Sequence, residues 1–394
     1  ATTEIYTLSL PDALPISFNP TGSTFSTISI NKTGGSLSAS ASFAAATLNT
    51  AAANYGISLN GGSVTNLTTF SNSGTLAITG GFTFGGGAVA TAPSGKSLSG
   101  IFQATGVANL NFGVTPTTIT GNATLQTTGA GTVTLAGTTV NAGATLIFGN
   151  GNATTVNTGA IDGAAGTSGI GINTTGTATI GGAVGATAMG TVTVTQSGGT
   201  AFQSTLNATT VTLSNTAGTV DFQDVVSIGT LNTAAQGFGV RFGIGGSITN
   251  LATFSNTGTL TIPNGFTFDG GAVATQGPKS IAGTISTSND GLNFGTTNVI
   301  LTAATVLSTG TGSITLGPTT SAGIDLALQG SGADTIASVA LGAGTLNLTG
   351  KTGGSVTVSG ALTAQVISTA AFGFDVNLYG SGTVVTNPVT FLNT

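Results

Sequence analysis

Apolar and hydroxylic side chains alternate in short runs along most of this chain. Thr132-Val133-Thr134-Leu135, "TVTVT" (191–195), Thr210-Val211-Thr212-Leu213, Ser313-Ile314-Thr315-Leu316 and "SVTV" (355–358) all have period two. Each puts apolar groups on one face and hydroxyls on the other, which predicts half-buried β-strands. Between the runs stand Gly-Gly, Asn-Gly, Ser-Gly and Asn-Thr-Gly, the residues of tight turns. Helix signals are nearly absent. The Ala-rich stretch 41–56 has helical propensity, but its counterpart "VSIGTLNTAAQGFG" (226–239) carries Ile and Gly inside, so both are read as strand and turn.

Long repeats overlie this fine texture. "LNGGSVTNLTTFSNSGTLAITGGFTFGGGAVATA" begins at Leu59, and "FGIGGSITNLATFSNTGTLTIPNGFTFDGGAVATQ" begins at Phe242. A third copy, "ISTAAFGFDVNLYGSGTVVTNPVTFLNT", begins at Ile367 and matches the text from Leu231. The repeats span about 48–140, 231–321 and 367–394, the last being partial. Strands this short and numerous fit either β-sandwiches or a parallel β-solenoid. The repeat offsets approach multiples of roughly 23 residues, a plausible coil length, which favours the solenoid. The expected fold is all-β, a right-handed parallel β-helix formed by residues 18–394 as a single solenoid. A membrane β-barrel would want aromatic girdles, and the chain has no Trp and three Tyr.

Composition supports a folded chain with an unusual surface. Charged residues are 4%, hydrophobic residues 39% and mean hydropathy is +0.42. A typical domain holds about 25% charged residues, so this surface must stay wet through hydroxyls and amides. Stacked Asn and Thr can bond one another from coil to coil where stacked charges would repel. The five cations, Lys32, Lys96, Arg241, Lys279 and Lys351, are scattered, which leaves no footprint for nucleic acid. No apolar run is long enough for a transmembrane helix.

With no His and no Cys, Ser-His-Asp and Cys-His catalysis and the usual zinc sites are excluded. "DFQD" holds Asp221 and Asp224, but residues three apart on a strand face opposite sides. Asp325 and Asp334 lie in a Gly/Ser region and read as turn formers. The run "GGFTFGGG" (80–87) lacks the Lys-Ser/Thr of a phosphate loop and reads as turns. "FDGGAV" (268–273) is a lone fragment of a calcium nonapeptide, and Gly85 stands where the second copy has Asp269. Lys96 and Lys279 recur at equivalent points, within "GKSLSG" and "PKSIAG". They read as solvated lysines that guard a turn or strand edge, with contact to an anionic glycan as the functional alternative. No catalytic, cofactor-binding or metal-ligating residue is assigned, and no enzyme activity or cofactor is expected.

Residues 3–17 resemble translated sequencing-adapter read-through, so the segment 1–17 is expected to be non-native, or else a linker or cap. The runs "TIGGAVGATAMGTVTVT" (179–195) and "STLNATTVTLSNTAGTVDFQDVVSIGTLNT" (204–233) and the TNLxTFSN repeats resemble the repetitive regions of filamentous-haemagglutinin-like and autotransporter-type bacterial adhesins. That resemblance implies a right-handed β-helix, export to the outer-membrane surface or beyond, and a role in adhesion or as a stalk. The expected partners are host-cell or matrix glycans or proteins, met by a monomeric rod that is part of a longer chain. The alternatives are a non-catalytic part of a carbohydrate-active β-helix, and an ice-binding solenoid suggested by the Thr rows.

Overall fold

The computed structural model describes residues 4–8, 15–19, 24–164 and 166–394; for 4–8 and Phe18 it describes the backbone alone. The chain forms two compact units, residues 1–208 and 209–394. Each is a parallel β-solenoid with about 20 residues per turn, close to the expected coil length. Among the described residues there is no helix.

Every turn of a unit has three sides, and each side is a ladder of parallel strands. In the first unit one ladder runs through Gly56–Asn60, Thr75–Thr79, the first half of Gly95–Ala104 and the first half of Thr117–Thr127. The second runs through Gly62–Val64, Phe82–Phe84 and the later halves of those same two strands. The third joins Thr68–Thr69, Ala88–Val89, Leu110–Phe112 and Thr132–Leu135. The second unit repeats the plan, with Thr219–Phe222, Gly239–Phe242, Leu260–Ile262 and the first part of Lys279–Ser286 stacked on one side.

The period-two text decides what goes inside. Val133 and Leu135 are buried while Thr132 and Thr134 face outward, and Val356 and Val358 alternate likewise with Ser355 and Thr357. The Ala-rich run is strand at Phe43–Thr50, as its second copy suggested. Phenylalanines stack along the interior from turn to turn. Phe222 and Phe242 lie parallel with centroids 5.4 Å apart, and Phe254 meets Phe268 edge-on at 5.9 Å. Such pairs add to the area they remove from water. Glycine makes the corners possible. Gly100 has φ +98°, and a Cβ there would lie 2.2 Å from the backbone nitrogen of Gly81. Its second-copy equivalent, Gly283, has φ +74° and would meet Gly265 at 2.7 Å. The ladder register shifts at both places, beside Leu98 and beside Ile281.

One expectation about the repeats needs revision. The offset between the second and third copies, from Leu231 to Ile367, is not a whole number of turns. In the second unit Asn232 stacks on Thr253, then Val273, Asn293, Thr315, Thr335 and Thr357, six turns in all. Ser368, the residue that matches Asn232 in the third copy, lies two sides further on and pairs with Asn347. Likewise Val240 pairs with Leu260 on one side, and its match Val376 pairs with Val356 on another. The three sides carry the same local text, so a sequence repeat closes on a whole number of sides and not of coils.

The proposed non-native segment falls partly outside the described residues, at 1–3 and 9–14. Of the remainder, Glu4–Leu8 pairs in parallel with Thr24–Ile30, and Ile16–Phe18 with Ser36–Ala39.

Candidate functional site

The charged residues are the natural place to look for chemistry, and four of the five cations are inside. Lys32, Lys96, Lys279 and Lys351 are all buried, with at most 2% of their surface exposed. This corrects the reading of Lys96 and Lys279 as solvated edge guards. The Lys96 ammonium donates to the Thr115 carbonyl at 2.9 Å and to the Thr115 hydroxyl, which itself donates to the Pro93 carbonyl at 2.6 Å. In the second copy the Lys279 ammonium donates to the Phe294 carbonyl at 2.6 Å and to the Thr297 hydroxyl, which donates to Gly277. A lysine is tolerated here because its stem packs like an aliphatic chain while its N–H donors find oxygens on neighbouring turns. No carboxylate pairs with either ammonium in these contacts. Burial lowers both lysines from 10.5 to about 8. The sequence did hold a signal: Lys96 shares the strand phase of buried Leu98, and Lys279 that of Ile281.

Lys351 differs in having a carboxylate partner. Its ammonium lies 2.8 Å from Asp334 Oδ2 and donates to the Gly332 carbonyl at 2.7 Å. Both side chains are wholly buried. Asp334 Oδ1 accepts the Ile314 N–H at 2.9 Å. Burial raises the Asp334 carboxyl above its usual range, against the lowering effects of Lys351 and of the Ile314 N–H. Asp334 is therefore an interior residue and not the turn former its Gly/Ser surroundings suggested. Local composition gave no hint of a partner seventeen residues away.

The remaining acids behave as their positions imply. Asp325 accepts the Thr345 N–H at 2.7 Å and so fastens a turn. Asp221 pairs with Arg241 at 2.9 Å on the partly exposed wall, while Asp224 accepts the Val225 N–H, so the two acids of "DFQD" serve different partners. Asp269 accepts a bond from the Ser288 hydroxyl. In the run 80–87 the glycines at 80, 81 and 87 have positive φ and flank the short strand Phe82–Phe84, which makes them turns. Among the described residues no three acids gather as a metal would require.

A second repeated interior feature escaped the sequence reading. Asn72 Nδ2 donates to the Tyr55 carbonyl at 3.0 Å, Asn256 to the Phe238 carbonyl at 2.9 Å, and Asn393 to the Phe374 carbonyl at 2.9 Å. These asparagines end the "FSN" and "FLN" triplets of the three copies, and each ties its corner to the preceding turn. The triplet was visible as a repeat, but nothing in it distinguishes an inward amide from an outward one.

The outer wall is built of amides and hydroxyls that bond from turn to turn. Asn66 donates to the Thr47 hydroxyl at 3.0 Å, Asn250 to Thr230 at 2.8 Å, and the Thr79 hydroxyl to Asn60 Oδ1 at 3.4 Å. These are the side-chain ladders expected of stacked Asn and Thr. Beside the TNL corner of the first unit lies a shallow groove of about 530 Å³, lined by Leu67, Val89, Asn109, Asn111, Thr132 and Thr134. None of those side chains ionises at ordinary pH. The groove can offer hydrogen bonds and apolar contact, but no general acid, base or nucleophile of matched pKa. No protein-family model, curated protein or solved structure matches the chain.

Proposed function

We propose that this chain is a non-catalytic structural solenoid of a bacterial surface or secreted protein, and that it supplies reach and many weak attachment points. The observation that carries this reading is the division of labour between wall and interior. Four of the five cations are buried, and Lys96, Lys279 and Lys351 tie neighbouring turns together through their ammonium groups. The wall joins turns through uncharged amides and hydroxyls. A surface of that kind suits weak repeated contacts, which become strong when several act at once. Display outside the cell, by an adhesin or its stalk, follows from the textural likeness to repetitive bacterial adhesins.

The test is adhesion at controlled valency. Beads densely coated with the folded chain should be retained on epithelial cells or matrix-coated plates, while the single chain in solution binds weakly. Absence of retention at every coating density would overturn the attachment role.

A further inference from the structure

The buried Lys351–Asp334 pair stands apart from every other charged contact described. Arg241 and Asp221 are partly exposed, whereas neither Lys351 nor Asp334 has any exposed side-chain surface. A buried ion pair gains little over an apolar pair, because both charges lose their water. This one is also arranged for reaction. An amine nitrogen touches a carboxyl group. The other carboxyl oxygen faces a backbone N–H, from Ile314. The Gly332 carbonyl fixes the nitrogen from another side.

We propose that Lys351 and Asp334 join in an intramolecular amide bond, an isopeptide cross-link between neighbouring turns of the second unit. First, the ammonium proton passes along the hydrogen bond to Oδ2, leaving an amine and a carboxylic acid. The Nζ lone pair then attacks Cγ, and Oδ1 takes the negative charge where the Ile314 N–H can donate to it. A proton from nitrogen passes to the Oδ2 hydroxyl, which leaves as water, and the carbonyl re-forms at Oδ1. One N–C bond forms, one C–O bond breaks, one water is released, and nothing is oxidised or reduced. The enclosure favours the neutral amide over two desolvated ions, and held geometry replaces the encounter of two free reactants. The upward shift of the Asp334 carboxyl is in the sense that first proton transfer requires. This inference is independent of the attachment role.

Intact-mass spectrometry of the folded, purified full chain tests it directly. The wild type should be lighter than its sequence by one water, and a protease digest should contain a branched peptide joining the segments around Asp334 and Lys351. Asp334→Ala and Lys351→Met should each retain full sequence mass. Asp334→Asn should lose one ammonia in place of one water, because the amide nitrogen is then the leaving group. Full sequence mass for folded wild type after prolonged incubation would overturn the cross-link and leave an ion pair alone. That result does not depend on any variant folding.

Discussion

At Lys96 and Lys279 a single buried ammonium has hydroxyl and carbonyl partners but no carboxylate in its hydrogen-bond set. Folding lowers both groups from 10.5 to about 8, so between those values the unfolded chain holds more protons than the folded one. The two lysines therefore leave stability unchanged below about pH 8 and raise it from there towards pH 10. Denaturant unfolding across that range checks the slope, and Lys96→Met with Lys279→Met should flatten it. Tyr55 acts in the opposite sense above its ordinary value of 10.0, because burial raises it and its unfolded form ionises first, so the rise should weaken there. Val114 offers a second residue-scale test. It is β-branched, 76% exposed and has φ +69°, a region costly for such a side chain. Val114→Gly should raise stability by about 1 kcal/mol, after the extra entropy of glycine in the unfolded chain is set against the relieved strain. Thermal or denaturant unfolding would read it.

Corners, more than strands, carry specificity at the scale of elements. A side chain at Gly100 would have to occupy the backbone space of Gly81. Gly100→Ala is expected to cost about 3 kcal/mol or more, with Gly283→Ala similar, as equilibrium unfolding would show. Asn256→Ala removes the amide that holds the Phe238 carbonyl and should cost roughly 1–2 kcal/mol. The strands themselves were legible from the alternation, because an inward Val beside an outward Thr has few other solutions. Val133 and Leu135 went where their period put them. The coil length was nearly legible too. The repeat offset misled about how repeats map onto turns, since all three sides share one local text and sequence identity does not say which side is meant. Interior polar contacts were the least legible. Asp334 and Lys351 meet only after a turn has closed, and Lys351 does not keep the strand phase of Leu346 and Leu348. Lys96 and Lys279 keep the phase of buried Leu98 and Ile281, and here that phase outweighs the general preference of lysine for the surface.

For the whole molecule, burying the lysines leaves the outside with few charges and those mostly acidic. The net charge is −5 and the sequence pI about 4.1. As carboxylates protonate near pH 4, little repulsion remains between copies, and turbidity should peak there. The same arrangement separates two kinds of attachment. If the wall binds through amides, hydroxyls and apolar patches, bead retention should change little between about 0.05 M and about 1 M NaCl, since screening acts on charges. Folding stability should be equally indifferent, because Arg241–Asp221 is a partly exposed pair and such pairs contribute about 1 kcal/mol or less. A steep loss of retention with salt, at constant stability, would place attachment on the few exposed Asp side chains and a cationic ligand. The neutral wall would then be a spacer, and its repetition would serve reach alone.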